Sequence, residues 1–278
     1  MNTVKTTLLL GAMTGLLLAI GEYVGGRDGM ILALIVAGVM NFAAWFWSDR
    51  IVLRMYNARP VGPDEAPELY AIVQGLAQRA HVPMPRLYVI PDPALNAFAT
   101  GRGPRHAAVA ATVGIVQAMD REELEGVLAH ELSHVINRDT LVSTVAATLA
   151  GAISFLAHSF MFRGRDRDDG GNPLAALVVF LVAPIAAMLI QLAVSRSREY
   201  GADASGARLV GYPDGLARAL AKLKDASERI PMRHVEPATA HMFIVNPLSG
   251  SALSRLFSTH PPLEERIARL MAMKGRVG

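Results

Sequence analysis

The chain has 278 residues, of which 52% are apolar and 18% are charged, whereas an ordinary soluble domain has about 25% charged residues. This composition excludes an intrinsically disordered chain and is too apolar for a simple soluble protein. The chain has no cysteine, which excludes disulfide scaffolds, thiolate metal clusters and cysteine nucleophiles. Its net charge of +3 is mild and its basic residues form no long run, so we do not expect nucleic acid as a partner.

Four stretches without charged residues indicate segments that could cross a membrane. The first lies between Lys5 and Glu22, and the others cover residues 29–48, 140–162 and 170–195. The last three reach the roughly 20 residues that a bilayer requires. The first is shorter and has features of a secretory signal peptide, although we favour a retained span. We therefore predict a mainly α-helical membrane protein with four hydrophobic helices.

Basic residues are distributed unevenly on the two sides of these stretches. Because cytoplasmic loops carry an excess of Lys and Arg, the richer side is expected to face the cytoplasm. Residues 1–48 then form two N-terminal transmembrane helices, and residues 140–195 form a transmembrane helical hairpin. Residues 49–139 and 196–278 meet as the two halves of one cytoplasmic domain. The basic residues of the richer side are Lys5, Arg50, Arg54, Arg59, Arg138, Arg196, Arg198 and Arg208.

A small β-structure is predicted in the first cytoplasmic half. Before it, apolar residues repeat every three or four positions between Pro63 and Arg79, which predicts an amphipathic helix. Segments 85–90, 97–100 and 107–112 have the pattern of short strands bounded by prolines or by a Gly-Pro turn. We predict that these three strands form a small β-meander. The apolar face of the helix would consist of Leu69, Ile72, Val73, Leu76 and Ala77.

A further helix is predicted to begin at Asp120, because Asp120 and Glu123 form a capping-box pattern. We expect this helix to continue through residue 138 into the third hydrophobic stretch. In the second cytoplasmic half, scattered helix breakers between Pro231 and Gly250 predict a loop that could move.

The helix that begins at Asp120 carries the motif His130-Glu131-Leu132-Ser133-His134. Two histidines at positions i and i+4 lie one turn apart on one helix face, so both imidazoles can reach one tetrahedral zinc ion. The intervening Glu131 would point at the fourth, water-filled ligand position. The alternative is an exposed helix face with two ordinary histidines, and the rest of the chain favours zinc.

A third zinc ligand must be a histidine or a carboxylate, because the chain has no cysteine. A metzincin would have a third histidine shortly after His134, and residues 135–145 contain none. A gluzincin-like site uses a glutamate on a later helix, and Glu199 and Asp203 lie four positions apart there. Glu199 would bind zinc, while Asp203 would accept the free N–H of a ligand histidine. The alternative for Glu199 is an ion pair with Arg196 or Arg198.

Four segments of the chain form a known combination: His130-Glu-Leu-Ser-His134, Ser195-Arg-Ser-Arg-Glu-Tyr-Gly-Ala-Asp203, Asn96-Ala-Phe-Ala-Thr-Gly101 and Thr259-His-Pro-Pro-Leu-Glu-Glu-Arg-Ile267. Together they resemble the HtpX family of bacterial membrane zinc metalloproteases, which is related to the endoproteases that process prenylated CaaX proteins. The resemblance covers nearly the whole chain. It implies an enzyme of the inner membrane that faces the cytoplasm and acts in the quality control of misfolded or damaged membrane proteins.

The resemblance also implies one Zn²⁺ per chain, a polypeptide substrate and a set of site residues. These are His130, His134 and Glu199 as zinc ligands, Glu131 as the catalytic acid and base, Asp203 beside a ligand histidine, and Asn96, Ala97, Phe98 and Ala99 beside the substrate. Substrates of such sites often lie extended along an exposed strand edge, and the predicted meander offers one. His260 is the first candidate for a transition-state stabiliser, and Arg198 and His241 are weaker candidates.

Three other functions remain as alternatives. An intramembrane protease would carry its motif within a hydrophobic stretch, whereas this motif lies between the charged segments 120–125 and 138–139. A non-enzymatic membrane metal-binding protein, such as a transporter or scaffold, would have charged or metal-binding residues within several spans, and these spans contain almost none. A CaaX-type prenyl-protein endoprotease would need a larger intramembrane chamber than four short spans provide.

Overall fold

The structure is a computed structural model that describes residues 2–148, 196–229, 232, 239, 242–245 and 261–276. Most of the predicted transmembrane hairpin at 140–195 and most of the predicted loop Pro231–Gly250 lie outside the described residues. The candidate site residues His241 and His260 lie outside them as well.

The chain begins with a long helical stretch, α1 (Asn2–Met55), that folds back on itself. The side-chain amide of Asn41 donates to the carbonyl oxygen of Leu10 at 3.2 Å and to the hydroxyl of Thr14 at 2.9 Å. A straight helix would separate residues 10 and 41 by about 46 Å. Gly26 lies between these partners and has a φ of 57°, which is in the left-handed region that a right-handed helix does not contain. The helical stretch therefore reverses direction near Gly26.

The limb that follows this turn can cross a membrane. Gly26–Met55 is the one helix among the described residues that is long and apolar enough to do so, and the limb before it has a shorter apolar stretch, Leu10–Ala19. One membrane-spanning helix is therefore supported, and the other three of the four predicted helices remain predictions. Many large apolar side chains of the limb face outwards, as lipid contact requires, among them Ile31, Leu32, Leu34, Ile35, Val39, Phe42, Trp45 and Trp47.

Two arginines of the sheet region contact the end of α1. The guanidinium of Arg102 lies 4.3 Å from the centroid of the Phe46 ring and 5.3 Å from that of Trp45, within cation–π distance. Arg86 also forms an ion pair with Asp49 at 2.5 Å. Both arginines belong to the sheet region, so the sheet is held next to the aromatic end of α1.

A four-stranded sheet follows α1, and its strands do not form the predicted meander. The strand order is β1-β2-β4-β3, in which β4 is parallel to β2 and antiparallel to β3. A meander would pair β2 with β3, whereas both pair with β4. All five residues of β4 are buried, which suits the central position between two strands. The strands are β1 (Arg59–Pro60), which was not predicted, β2 (Arg86–Ile90), β3 (Ala97–Thr100) and β4 (Ala108–Thr112).

The helix between β1 and β2, α2 (Pro67–Arg79), confirms the predicted amphipathic helix, although it begins four residues later than predicted. Pro67 occupies its first turn, where a missing N–H costs nothing. The five residues of the predicted apolar face are the ones that the helix buries: Leu69, Ile72, Val73, Leu76 and Ala77.

After the short helix α3 (Val113–Ala118), the helix α4 (Arg121–Ile136) begins as predicted and ends earlier than predicted. The Asp120 carboxylate accepts the Glu123 N–H at 2.9 Å, and the Glu123 carboxylate accepts the Asp120 N–H at 2.9 Å. At the other end, Arg138 has a φ of 59°, which breaks the helix. The prediction of one continuous helix through residue 138 is therefore wrong. A separate helix, α5, begins at residue 139 and is described as far as residue 148.

Helix α4 lies at the centre of the described core. It packs against α2, against β3, and against two later helices, α6 (Arg196–Val210) and α7 (Asp214–Arg229). Glycines permit the close approaches: a Cβ atom at Gly206 of α6 would lie 2.9 Å from the backbone nitrogen of His130. Helix α8 (Leu263–Met271) packs on α6 and α7. The helix that carries the histidine motif is thus fixed on several sides.

Candidate metal centre

The two histidines of the α4 motif face each other across one helical turn. The Nε2 atoms of His130 and His134 lie 3.2 Å apart, and their rings are nearly perpendicular, at 89°. His130 is 1% exposed, so its imidazole is withdrawn from solvent. This is the arrangement that the i, i+4 spacing predicts.

Helix α6 brings Glu199 to the same point. Its Oε2 lies 3.7 Å from Nε2 of His130, and its Oε1 lies 3.5 Å from Nε2 of His134. The three residues form a group that could hold a metal ion, with ligand atoms within 4.8 Å of one another. Donor atoms about 2.1 Å from a tetrahedral zinc ion lie about 3.4 Å from each other. The donor atoms and their separations therefore fit zinc.

Each histidine is oriented by an aspartate on its other ring nitrogen. Nδ1 of His130 lies 2.9 Å from Oδ1 of Asp203, as the spacing of Glu199 and Asp203 on α6 predicts. Nδ1 of His134 lies 3.2 Å from Oδ2 of Asp139, the first residue of α5. Such contacts leave each Nε2 available for a metal. The role of Asp139 was not predicted, because it depends on the break between α4 and α5.

Arg266 of α8 is a further part of the site that sequence reasoning missed. Its side chain is 0% exposed, and it contacts Asp203 at 2.7 and 2.9 Å. A signal was present in the sequence: Leu263, Ile267 and Leu270 give α8 one apolar face, and Arg266 falls on that face. The predicted candidate Arg198 contacts the cluster on the side of Asp139, with Nη1 3.9 Å from Oδ1 of Asp139.

The cluster carries an excess of negative charge. Its four carboxylates, Glu131, Asp139, Glu199 and Asp203, face two guanidinium groups, those of Arg198 and Arg266. With both imidazoles neutral, two negative charges are left, which is the charge that a divalent cation would balance.

Burial and neighbouring charges shift the pKa values of three groups in the cluster. Burial, opposed by the charge of His134 and assisted by that of Glu199, raises the pKa of Glu131 to about 8. Burial lowers the pKa of His134, but its hydrogen bond with Asp139 and the nearby carboxylates outweigh this and raise it to about 9. Burial also lowers the pKa of His130. Burial and the neighbouring carboxylates thus shift the pKa values of these three groups in different directions.

Glu131 lines a cleft together with the two histidines and Glu199. The backbone N–H of Ala99 in β3 lowers the pKa of the Glu131 carboxylate, against the larger effect of burial. Other parts of the cleft come from α5, through Thr140 and Ser143, and from residues 242–244. A carboxylate beside a candidate metal cluster and beside a strand edge is placed to act on a peptide that lies along that strand.

The four predicted substrate-binding residues have different positions. Ala99 lines the cleft. Ala97 is buried, and its carbonyl oxygen accepts the N–H of Ile244 at 3.1 Å. The Asn96 side-chain amide donates to the Val245 carbonyl oxygen at 3.0 Å. The ring of Phe98 lies in the core, 5.1 Å from that of Phe243 and 6.0 Å from that of Tyr56. The segment around Ile244 therefore runs along part of the outer edge of β3.

Comparisons with known proteins identify the family of this chain. A family model described as peptidase family M48 matches residues 63–274. The chain is 55% identical over 276 residues to the protease HtpX homolog of Desulforapulum autotrophicum, with 97% of this chain and 89% of that protein covered. It is 56% identical over 284 residues to the protease HtpX homolog of Desulfatibacillum aliphaticivorans, with 100% and 91% covered.

A solved structure with a similar fold is the crystal structure of S. mikatae Ste24p. The TM-score is 0.50 at 20% identity, and the match covers 96% of this chain. The chain spans 64% of the length of that structure. The family model and the relatives confirm the resemblance that the sequence motifs indicate: the chain belongs to peptidase family M48, among the HtpX proteases, and is a membrane metalloendopeptidase.

Proposed function

We propose that this protein is a zinc-dependent endopeptidase of the bacterial inner membrane that hydrolyses misfolded or damaged membrane proteins at the cytoplasmic face. The observation that carries the proposal is the meeting of His130, His134 and Glu199 at one point, with Glu131 in the same cleft. These three residues would hold one zinc ion. When bound, zinc supplies a Lewis acid that polarises a carbonyl group and lowers the pKa of water.

Glu131 is the acid and base in this proposal. Its carboxylate would accept a proton from the water molecule that attacks the peptide carbonyl carbon, and would return this proton to the amine as the C–N bond breaks. The Ala99 N–H would favour the charged form of this carboxylate, because it lowers the pKa of Glu131. Asp203 and Asp139 keep the imidazoles in the tautomer that presents Nε2.

Asn96, Ala97, Phe98 and Ala99 form the substrate-binding strand in this proposal. An extended peptide would add to the edge of β3 next to Glu131. The hydrogen bond from the Ile244 N–H to the Ala97 carbonyl oxygen supports this, since a backbone group from another segment already pairs with the outer edge of β3. Phe98 would act from the core by fixing the position of the strand, because its side chain is fully buried.

Membrane proteins are the proposed substrates because the protease carries its own membrane segment next to the sheet. The contacts of Arg102 with Trp45 and Phe46 hold the β3–β4 turn beside the end of Gly26–Met55. Peptide segments that emerge from the same bilayer would therefore have short paths to the cleft. The proposed orientation, with the cleft in the cytoplasm, rests on the excess of basic residues on that side. His260 stays a proposed transition-state stabiliser.

The test combines zinc content with cleavage of casein or of a membrane protein by the purified full-length protein. We expect the wild type to bind one zinc ion and cut, Glu131→Gln to keep zinc and lose activity by at least about 100-fold, and Glu199→Ala to lose zinc. Glu122→Gln, at an exposed carboxylate of the same helix, is the matched control and should keep both. A wild type without zinc, or a fully active Glu131→Gln variant, would contradict the proposal.

A further inference from the structure

Arg266 is a fully buried arginine, and a buried charge must be compensated. Transfer of an unpaired guanidinium into a protein interior is strongly unfavourable, so its contacts determine whether it is tolerated. Asp203 provides the main compensation, because Oδ2 lies 2.9 Å from Nε and Oδ1 lies 2.7 Å from Nη2. This is the two-pronged geometry that arginine forms with carboxylates.

The same carboxylate oxygen serves both Arg266 and His130. Oδ1 of Asp203 lies 2.7 Å from Nη2 of Arg266 and 2.9 Å from Nδ1 of His130. A carboxylate held at both oxygens by a planar guanidinium cannot rotate. The direction from which it receives the imidazole N–H is therefore fixed by Arg266.

The third nitrogen of the guanidinium, Nη1, contacts the wall of the cleft. Nη1 of Arg266 donates to the carbonyl oxygen of Ile244 at 3.1 Å and lies 3.6 Å from Oε2 of Glu199. The N–H of Ile244 in turn donates to Ala97 of β3. One side chain thus contacts the residue that orients a metal ligand and the backbone that lies along the strand edge.

We propose that Arg266 is a positioning residue that sets the metal-binding orientation of His130 through Asp203 and, at the same time, holds the cleft wall at Ile244. This inference rests on the proposed zinc site. Lysine cannot replace arginine here, because an ammonium group cannot donate to both oxygens of Asp203 and to Ile244 in these directions. The two contacts predict two separate consequences, one for zinc affinity and one for substrate affinity.

Zinc affinity is tested with a double-mutant cycle on the full-length protein. The zinc dissociation constant is measured by competition with a chelator for the wild type, Arg266→Lys, Asp203→Asn and the double variant. We expect each single variant to bind zinc about 10- to 100-fold more weakly. The zinc dissociation constant of the double variant should exceed that of the weaker-binding single variant by no more than about threefold, because both changes act through one contact. If the fold-change in the zinc dissociation constant of the double variant equals the product of the two single fold-changes, the inference is overturned.

Substrate affinity separates Arg266 from a purely structural role. At saturating zinc, Arg266→Lys should raise KM by about three- to tenfold, because the contact with Ile244 is lost. Asp203→Asn should raise KM less than Arg266→Lys does, because Arg266 keeps its own donor for the Ile244 carbonyl oxygen. Arg269→Lys, the same change on the exposed face of the same helix, is the matched control and should keep the wild-type zinc affinity and KM. Equal KM values for Arg266→Lys and Asp203→Asn would contradict the contact with the cleft wall.

Folding is checked by circular dichroism, and Arg266→Gln serves as a second variant. A variant that regains the native spectrum when zinc is added supports the inference, since zinc then stabilises the folded state by mass action. If Arg266→Lys and Arg266→Gln both stay unfolded at saturating zinc, the inference is overturned, because Arg266 would then be needed for the fold itself. A wild type that binds no zinc would instead refute the proposed function, so the two failures are distinguishable.

Discussion

Oδ2 of Asp139 lies 3.2 Å from Nδ1 of His134, although the two residues belong to different helices. Asp139 begins α5 directly after Arg138, whose φ of 59° ends the path of α4. The break in the helix therefore places a carboxylate behind a candidate metal ligand. His130 and His134 are thus each supported by an aspartate from a different element, Asp203 from α6 and Asp139 from α5.

Replacement of Asp139 by asparagine is expected to weaken zinc binding about 10- to 100-fold. The amide has only one acceptor oxygen and carries no charge, so it stabilises the required tautomer of His134 less well. Chelator competition on the purified protein measures the effect. Asp214→Asn, at an acidic residue that pairs with Lys274 away from the cluster, is the control and should bind zinc as the wild type does. Unchanged zinc affinity of Asp139→Asn would refute the role of Asp139.

Two glycines of α6 should respond to alanine in opposite directions. At Gly206, a Cβ atom would lie 2.9 Å from the backbone nitrogen of His130 and 3.1 Å from the carbonyl carbon of Ala129. Because backbone atoms cannot move aside cheaply, Gly206→Ala should lower the free energy of unfolding by about 1–3 kcal/mol. At Gly201 no atom of the described residues lies within 4 Å of an added Cβ, and Gly201→Ala should raise the free energy of unfolding by about 0.5–1 kcal/mol through helix propensity. Denaturant unfolding measures both, and a stabilising Gly206→Ala would show that α4 and α6 are not in such close contact.

The capping box of α4 should contribute measurably to stability. Asp120→Ala removes the acceptor for the Glu123 N–H and should lower the free energy of unfolding by about 0.5–2 kcal/mol, whereas Asp120→Asn keeps an acceptor and should cost less. The hydrogen bond from the Glu123 backbone, together with nearby Arg218 and Lys222, lowers the pKa of Asp120.

This lowered pKa gives the cap a pH dependence of definite sign. The stabilisation by the Asp120 carboxylate is present above its unfolded-state pKa of about 4, and it is lost as the pH falls through the lower folded-state pKa. The difference in stability between wild type and Asp120→Ala, measured by urea unfolding, should therefore shrink as the pH is lowered from 7 to 3. A difference that grows over this range would contradict the cap.

The absence of cysteine makes the proposed orientation directly measurable. Asp28→Cys, beside the turn at Gly26, and Glu68→Cys, on α2, are both at exposed positions. Because Gly26–Met55 would separate them across the membrane, an impermeant maleimide applied to intact spheroplasts should label Asp28→Cys only. Glu68→Cys should become labelled once the membrane is opened with detergent. Labelling of Glu68→Cys but not of Asp28→Cys in intact spheroplasts would indicate the opposite orientation. Equal labelling of both variants would argue against a membrane span between them.

Local patterns predicted the elements that carry the centre. The capping box identified the start of α4, and the apolar face of α2 was predicted residue by residue, because both depend on neighbours three or four positions apart. The histidine spacing likewise follows from one helical turn. The pair Glu199 and Asp203 could be selected from the whole chain because a glutamate and an aspartate four positions apart lie on one helix face.

Features that depend on contacts between distant segments were missed. The order of the strands places β4 rather than β3 beside β2, and the patterns of the separate strands do not specify which strand becomes the neighbour of β2. Asp139 was counted as part of a continuing helix, since the left-handed conformation of Arg138 has no clear signature in the sequence. Arg266 was missed because an arginine is normally exposed, and only its position on the apolar face of α8 indicates otherwise.

One outer edge of the sheet is short and the other is partly covered, which limits pairing with other copies of the protein. β1, at one edge, has only two residues, and one of them is Pro60, which has no amide hydrogen to donate. At the other edge, the carbonyl oxygen of Ala97 is already bonded to Ile244. Edges that are short or covered do not template edge-to-edge aggregation, which is a particular danger for proteins concentrated in a membrane. The part of β3 that lines the cleft is Ala99, so a foreign chain that pairs with this strand does so beside Glu131.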